Sequence, residues 1–133
     1  LVGSEMCIRD RCYCGKRGCV ETVISGRALQ TYYSNISGRK LKFEEIYALR
    51  DSDKYAKETF DRLIIHFGKG LSNVVNILDP EVIVLGGGLS NIKELYSEGY
   101  KELKKYVFNP TFNTPIIRPK LGDSAGVYGA ALL

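Results

Sequence analysis

Apolar residues recur at spacings of three and four from residue 54 to residue 78: Ala56, Phe60, Leu63, Ile64, Phe67, Leu71, Val74, Val75 and Leu78. That period gathers them on one face of a long amphipathic helix. Gly68 and Gly70 interrupt the pattern, each costing up to about 1 kcal/mol against alanine, so the close approach of another backbone is expected there. Asp79-Pro80 ends the helix, because the residue before proline is driven out of the right-handed helical region. A weaker pattern over residues 22–34, carried by Val23, Ala28, Leu29 and Tyr32, predicts an earlier helix closed by a turn at Ser37-Gly38. Residues 43–50 predict a short helix with Phe43, Ile46, Tyr47 and Leu49 apolar.

The period changes after Pro80. Glu81 to Leu85, EVIVL, carries charge only at its start and reads as a strand buried on both faces, as in parallel sheets. Gly86-Gly87-Gly88 closes it. Ser90 is placed to cap a helix over roughly 91–107, whose apolar face is Ile92, Leu95, Tyr96, Leu103 and Val107. Residues 114–119, TPIIRP, predict a second strand. Asp123 or Ser124 is placed to cap a final helix over 125–133, rich in alanine and glycine. Strand, helix, strand is a parallel unit, but two strands are fewer than a stable sheet needs. On this ground the chain reads as part of a larger α/β fold with an incomplete sheet.

Composition adds little. At 133 residues, with 44% hydrophobic and 26% charged residues, the chain is of ordinary soluble type and long enough for one domain. No apolar run approaches the roughly 20 residues that span a bilayer, and no signal-peptide pattern opens the sequence. The cytoplasm is therefore the expected location. The net charge of +4 has its nearest cluster at Arg39, Lys40 and Lys42, but Glu44 and Glu45 dilute it. A solvated surface is preferred to a nucleic-acid patch.

The cysteines change the picture. All four precede residue 20: Cys7, Cys12, Cys14 and Cys19. Such crowding reads as a metal site rather than a disulfide framework. Cys12-x-Cys14-x4-Cys19 offers three soft thiolates suited to structural zinc, with one coordination position open; the alternative is three thiols without metal. Residues 1–10, LVGSEMCIRD, lack any period and are expected to be a leader foreign to the natural protein. From the residues alone, Glu21 reads as an acidic group favouring the N-terminus of the next helix, and the glycine run reads as a tight strand–helix turn.

The segment CYCGKRGCVE resembles the signature of the ROK family (repressors, open reading frames and kinases), cysteine-x-cysteine-glycine-x-x-glycine-cysteine-x-glutamate. Every fixed position matches, from Cys12 to Glu21. NILDPEVIVLGGGLSN is similar to the nucleotide-binding segment of ROK sugar kinases, and GDSAGVYGAALL to their C-terminal helix. The resemblance runs from about Arg11 to Leu133. It implies part of the larger lobe of an actin-like, ribonuclease-H-like two-lobed ATPase: a zinc loop at 11–21, a helical region at 22–78, and the βαβ unit with the final helix at 81–133. It also implies phosphoryl transfer from ATP with Mg2+ to a hexose. The wording is closest to bacterial fructokinases, with N-acetylglucosamine kinases second and a sugar-responsive repressor as the alternative.

Residue by residue, the resemblance implies zinc on Cys12, Cys14 and Cys19, a sugar contact at Glu21, and nucleotide contact at Gly86, Gly87 and Gly88. In the family a histidine upstream of the cysteines completes the zinc site. None precedes Cys12 here, and the single histidine, His66, falls within the long helix, so zinc is expected to be weakly held unless Cys7 is recruited. The family's aspartate base and phosphate loop are expected upstream of this chain, with Asp79 and Asp123 poor substitutes. This chain alone is thus expected to be inactive. Hexose and ATP are the expected partners, no membrane or nucleic acid is expected, and a homodimer is left open.

Overall fold

The computed structural model describes residues 11–120. The leader with Cys7, the caps Asp123 and Ser124 and the final helix lie outside the described residues. The chain divides into two compact units between His66 and Phe67.

The first unit opens with a loop in which Arg11 and Arg17 form an antiparallel bridge. Helix α1 spans Glu21–Ile24 and α2 spans Gly26–Ser37, where one helix over 22–34 was expected. Ser25 separates them. Its backbone is extended (φ −86°, ψ 153°), and its Oγ accepts the N–H of Ala28 at 3.1 Å, so the serine caps a new helix instead of continuing the old one. Gly38, at φ 72°, closes α2. Helix α3 covers Phe43–Ala48 and α4 covers Lys54–Leu78, with α4 matching its expected bounds.

The core of this unit gathers Leu29, Tyr33, Ile46, Ala56 and Leu63, all at most 1% exposed. The Tyr33 hydroxyl donates to Asp53 Oδ2 at 3.0 Å, and Arg39 reaches the same oxygen at 2.8 Å. Asp53 Oδ1 accepts the N–H groups of Tyr55 and Ala56 at the start of α4. Arg39, one of the three clustered cations, is thus tied into the fold.

The second unit contains the end of α4, strand β1 (Ile83–Val84), 3-10 turns at Gly88–Asn91 and Lys93–Tyr96, helix α5 (Glu98–Lys104) and strand β2 (Ile116–Ile117). The strands pair in parallel, Ile83 with Ile116 and Val84 with Ile117, as expected. Both are shorter than expected. Val82 and Val84 are also about half exposed, at 46% and 53%, so the expectation of a strand buried on both faces is corrected. The face that carries Val82, Val84 and Ile117 is uncovered among the described residues, while Ile83 and Ile116 on the other face pack against the core. The same holds at the end of α4, where Val74, Ile77 and Leu78 are exposed.

The expected helix over 91–107 is also corrected. Ser90 does not cap it but is buried within a 3-10 turn, where its carbonyl accepts the Tyr96 hydroxyl at 2.8 Å. Continuous helix begins only at Glu98. The apolar periodicity still located the core, since Ile92, Leu95 and Leu103 are at most 3% exposed.

Of the two interrupting glycines, Gly68 meets the expectation and Gly70 does not. A β-carbon on Gly68 would lie 2.9 Å from the backbone of Glu102 and Leu103, whereas one on Gly70 would meet nothing within 4 Å. Asp79 ends α4 at φ 42°, its N–H bonded to the Val75 carbonyl at 2.8 Å.

Two carboxylates tie this structure to pH. The Lys105 ammonium holds the Glu102 carboxyl below its ordinary range, helped by the Tyr106 hydroxyl and opposed by burial. Burial alone would raise Asp53, but the N–H groups of Ala56 and Tyr55, the Tyr33 hydroxyl and Arg39 bring it below its usual value. A carboxylate depressed in the folded state contributes stability above its unfolded pKa and loses it as pH falls through the folded pKa. The thermal midpoint is therefore expected to be level near neutrality and to fall as pH drops below about 4.5. Glu102→Gln should flatten part of that fall, as followed by circular dichroism.

Candidate functional site

The cysteine loop is built by two glycines in left-handed backbone, Gly15 at φ 82° and Gly18 at φ 70°, which L side chains adopt at a cost. The Cys12 N–H donates to the Lys16 carbonyl at 2.8 Å, and the Gly15 N–H to the Cys12 carbonyl at 3.0 Å. These turns bring the sulfurs of Cys12, Cys14 and Cys19 within 4.8 Å of one another, with Cys14 Sγ 3.5 Å from Cys19 Sγ. Zinc–sulfur bonds of about 2.3 Å in a tetrahedron set sulfurs about 3.8 Å apart, so the three side chains fit such an ion. Among the described residues, no other group of histidines, cysteines or carboxylates is placed to hold a metal. His66, within α4, is not part of this one.

The acidities of Cys14 and Cys19 are shifted in opposite directions. The hydrogen bond from the Lys16 backbone, followed by those from Cys12 and Cys19, lowers the Cys14 thiol. The hydrogen bonds with Cys14 and then Cys12 push Cys19 up to about 11. Three thiolates at this spacing repel without a cation among them, so a metal that binds here displaces protons.

Cys19 is joined directly to helix α1. Its carbonyl accepts the Thr22 hydroxyl at 2.6 Å and the Thr22 N–H at 2.9 Å. Glu21 is thereby fixed as the first residue of α1, exposed, on the wall of a cleft of about 650 Å³ that Cys12 also lines. The same cleft is lined by one face of α2, where Arg27, Thr31 and Asn35 recur at intervals of four, by Tyr32 and by Arg62 from α4. The Arg62 guanidinium lies 4.4 Å over the Tyr32 ring, and the Tyr32 hydroxyl donates to Glu58 at 2.7 Å. Hydroxyls, an amide and guanidinium groups beside a carboxylate make a lining suited to a polyhydroxylated ligand. Sequence reasoning missed Arg27, Thr31, Asn35 and Arg62. The polar spacing of four along α2, opposite buried Leu29 and Tyr33, was the available signal, but it reads equally as a solvent face.

Gly86, Gly87 and Gly88 lie beyond the carboxyl end of β1, all exposed, where ligands of parallel sheets bind. Gly87 is in left-handed backbone at φ 78°, and a β-carbon on any of the three would meet nothing within 4 Å. Within the described residues only Gly87 of the three has a conformational reason to be glycine. At φ 78° and ψ 177°, a backbone region almost confined to glycine, Gly87→Ala is expected to cost about 1–3 kcal/mol, read as a fall in denaturant midpoint, with Gly86→Ala and Gly88→Ala close to neutral.

Comparison with known proteins fits this arrangement. The ROK family model matches residues 5–133. An N-acetyl-D-glucosamine kinase of Vibrio atlanticus (strain LGP32) is 40% identical over 123 residues, covering 92% of this chain and 41% of that protein. A crystal structure of ROK hexokinase from Thermus thermophilus superposes with a TM-score of 0.79 at 30% identity, covering 93% of this chain and 43% of that one. A ROK family glucokinase from Streptomyces griseus, solved with glucose and AMPPNP, gives a TM-score of 0.76 at 25% identity, covering 94% of this chain and 49% of that one.

The chain belongs to the ROK family, and the three relatives just described are sugar kinases. Its fold is part of their actin-like ATPase fold, as the signature implied. It spans less than half the length of the relatives it matches. These three relatives give no support to fructose as the sugar. No helix among the described residues is long and apolar enough to cross a membrane.

Proposed function

We propose that the protein to which this chain belongs transfers the γ-phosphoryl group of MgATP to a hydroxyl of a hexose, releasing ADP and the hexose phosphate, with N-acetyl-D-glucosamine as the favoured sugar. The observation that carries this reading is the cysteine loop, which fixes Glu21 on the wall of a polar cleft in a chain of the ROK family. The choice of sugar rests on likeness to N-acetyl-D-glucosamine kinases and replaces fructose as the first candidate.

In this reading Glu21 accepts hydrogen bonds from adjacent sugar hydroxyls and orients the ring. Cys12, Cys14 and Cys19 hold zinc, which supplies structural rigidity to the loop. Gly86, Gly87 and Gly88 leave the end of β1 open for the nucleotide. Phosphoryl transfer depends chiefly on such positioning and on charge stabilisation. The base and the phosphate-binding groups are assigned to parts of the protein outside this chain. Asp79, whose N–H closes α4, ends a helix and is not offered as the base. The 133-residue chain alone is accordingly expected to show no turnover, and to hold zinc weakly through three sulfurs.

A coupled ADP-release assay on the complete protein tests the reading. N-acetyl-D-glucosamine should give the highest kcat/KM among that sugar, glucose and fructose. A preference for fructose would reverse the choice of sugar. ADP release that no sugar stimulates would overturn the kinase assignment in favour of a sugar-responsive repressor.

A further inference from the structure

We propose that Arg118 is a ligand for the phosphate groups of the bound nucleotide, presented on the ring of Tyr96 beside the glycine turn. The proposal rests on the reading of Gly86, Gly87 and Gly88 as the nucleotide site. It adds the cation that a neutral glycine turn lacks.

The register of the two strands places Arg118 there. The Leu85 N–H donates to the Ile117 carbonyl at 3.2 Å, so the residue after Ile117 stands beside the start of the glycine run. Side chains alternate along a strand. Ile117 is about half exposed, whereas Ile116 packs against the core cluster of Val75, Leu103 and Phe112. Arg118 follows Ile116 by two residues and falls on the same side, where Tyr96 lies. Its guanidinium carbon is 5.2 Å from the centre of the Tyr96 ring. The Tyr96 hydroxyl in turn donates to the Ser90 carbonyl at 2.8 Å, inside the 3-10 turn Gly88–Asn91 that continues the glycine run. Guanidinium, ring and glycine turn thus form one assembly at the carboxyl ends of both strands.

The chemistry of that assembly favours phosphate. Arg118 is exposed, and among the described residues no carboxylate pairs with it. A guanidinium resting on an aromatic face is held in position, while its in-plane N–H fork stays able to donate. That fork matches two oxygens of one phosphate. On the facing side, a β-carbon on Gly86, Gly87 or Gly88 would meet nothing within 4 Å, so the turn leaves room for a phosphate chain to lie between it and the guanidinium.

Calorimetric titration of the complete protein with MgADP, at low and at high KCl, tests the contact. Arg118→Gln is expected to bind MgADP roughly tenfold to a hundredfold more weakly than wild type, with a flatter dependence on KCl. Its melting temperature and its affinity for N-acetyl-D-glucosamine should match wild type. Arg118→Lys, which keeps the charge without the fork, should recover only part of the loss. Equal affinity in wild type and Arg118→Gln would overturn the proposal. So would a loss whose dependence on KCl matches wild type, the mark of a base contact. A loss accompanied by an equal fall in sugar affinity and a lower melting temperature marks a structural role and overturns it as well. Wild type that binds no MgADP would bring down the nucleotide reading of the glycine run, and this contact with it; the other outcomes leave that reading standing.

Discussion

Gly68→Val is expected to unfold the second unit or to leave it marginal, although valine is the better helix former. Helix propensity favours the change by a few tenths of a kcal/mol. Opposing it, the new β-carbon would stand 2.8 Å from Glu102 Cγ and 2.9 Å from the backbone of Glu102 and Leu103. Backbone cannot swing aside as a side chain can, so α5 must move away from α4. Leu103, fully buried, and Val75 and Phe112, which cluster with it, would then lose contact. Overpacking of this kind costs about 1–3 kcal/mol, a large share of the stability of a small unit. The expected measurement is a lower denaturant midpoint by circular dichroism, with Gly70→Ala as the contrast, neutral or slightly stabilising. Equal effects at the two positions would show that α5 does not crowd α4 at Gly68.

The second large effect is on activity. Glu21→Ala in the complete protein is expected to lower kcat/KM for the sugar on the order of a hundredfold, as for a charge-assisted hydrogen bond removed from a bound hydroxyl. Glu21 lies at the surface of a four-residue helix, so its loss should leave folding almost unchanged. The melting temperature and the nucleotide affinity of the variant serve as controls. If activity is retained, the sugar is held elsewhere and Glu21 merely favours the start of α1.

The uneven legibility of the sequence has physical causes. Helix α4 was readable to its ends because its period is long and its stop signal at Asp79-Pro80 is local. The cysteine loop was readable because metal-ligand spacing and glycine turns are local as well. The region from Gly86 to Tyr106 was not. Its apolar spacing located Ile92, Leu95 and Leu103 in the core, but the same spacing is compatible with 3-10 turns, and Ser90 looks like a cap until Tyr96 is seen bonding to its carbonyl. The break at Ser25 was missed because the apolar pattern crosses it. The α2 and α4 lining of the cleft required the fold, since nothing in the sequence brings Arg62 beside Tyr32.

The bare strands have a practical consequence. Strands β1 and β2 pair through two residues each, Val84, Ile117 and Val82 remain about half exposed, and β-branched side chains on exposed edge strands invite other chains to add on. Preparations of the isolated polypeptide should cloud as concentration and salt rise. A charged replacement such as Val84→Lys should keep them clear without disturbing the loop that carries Glu21.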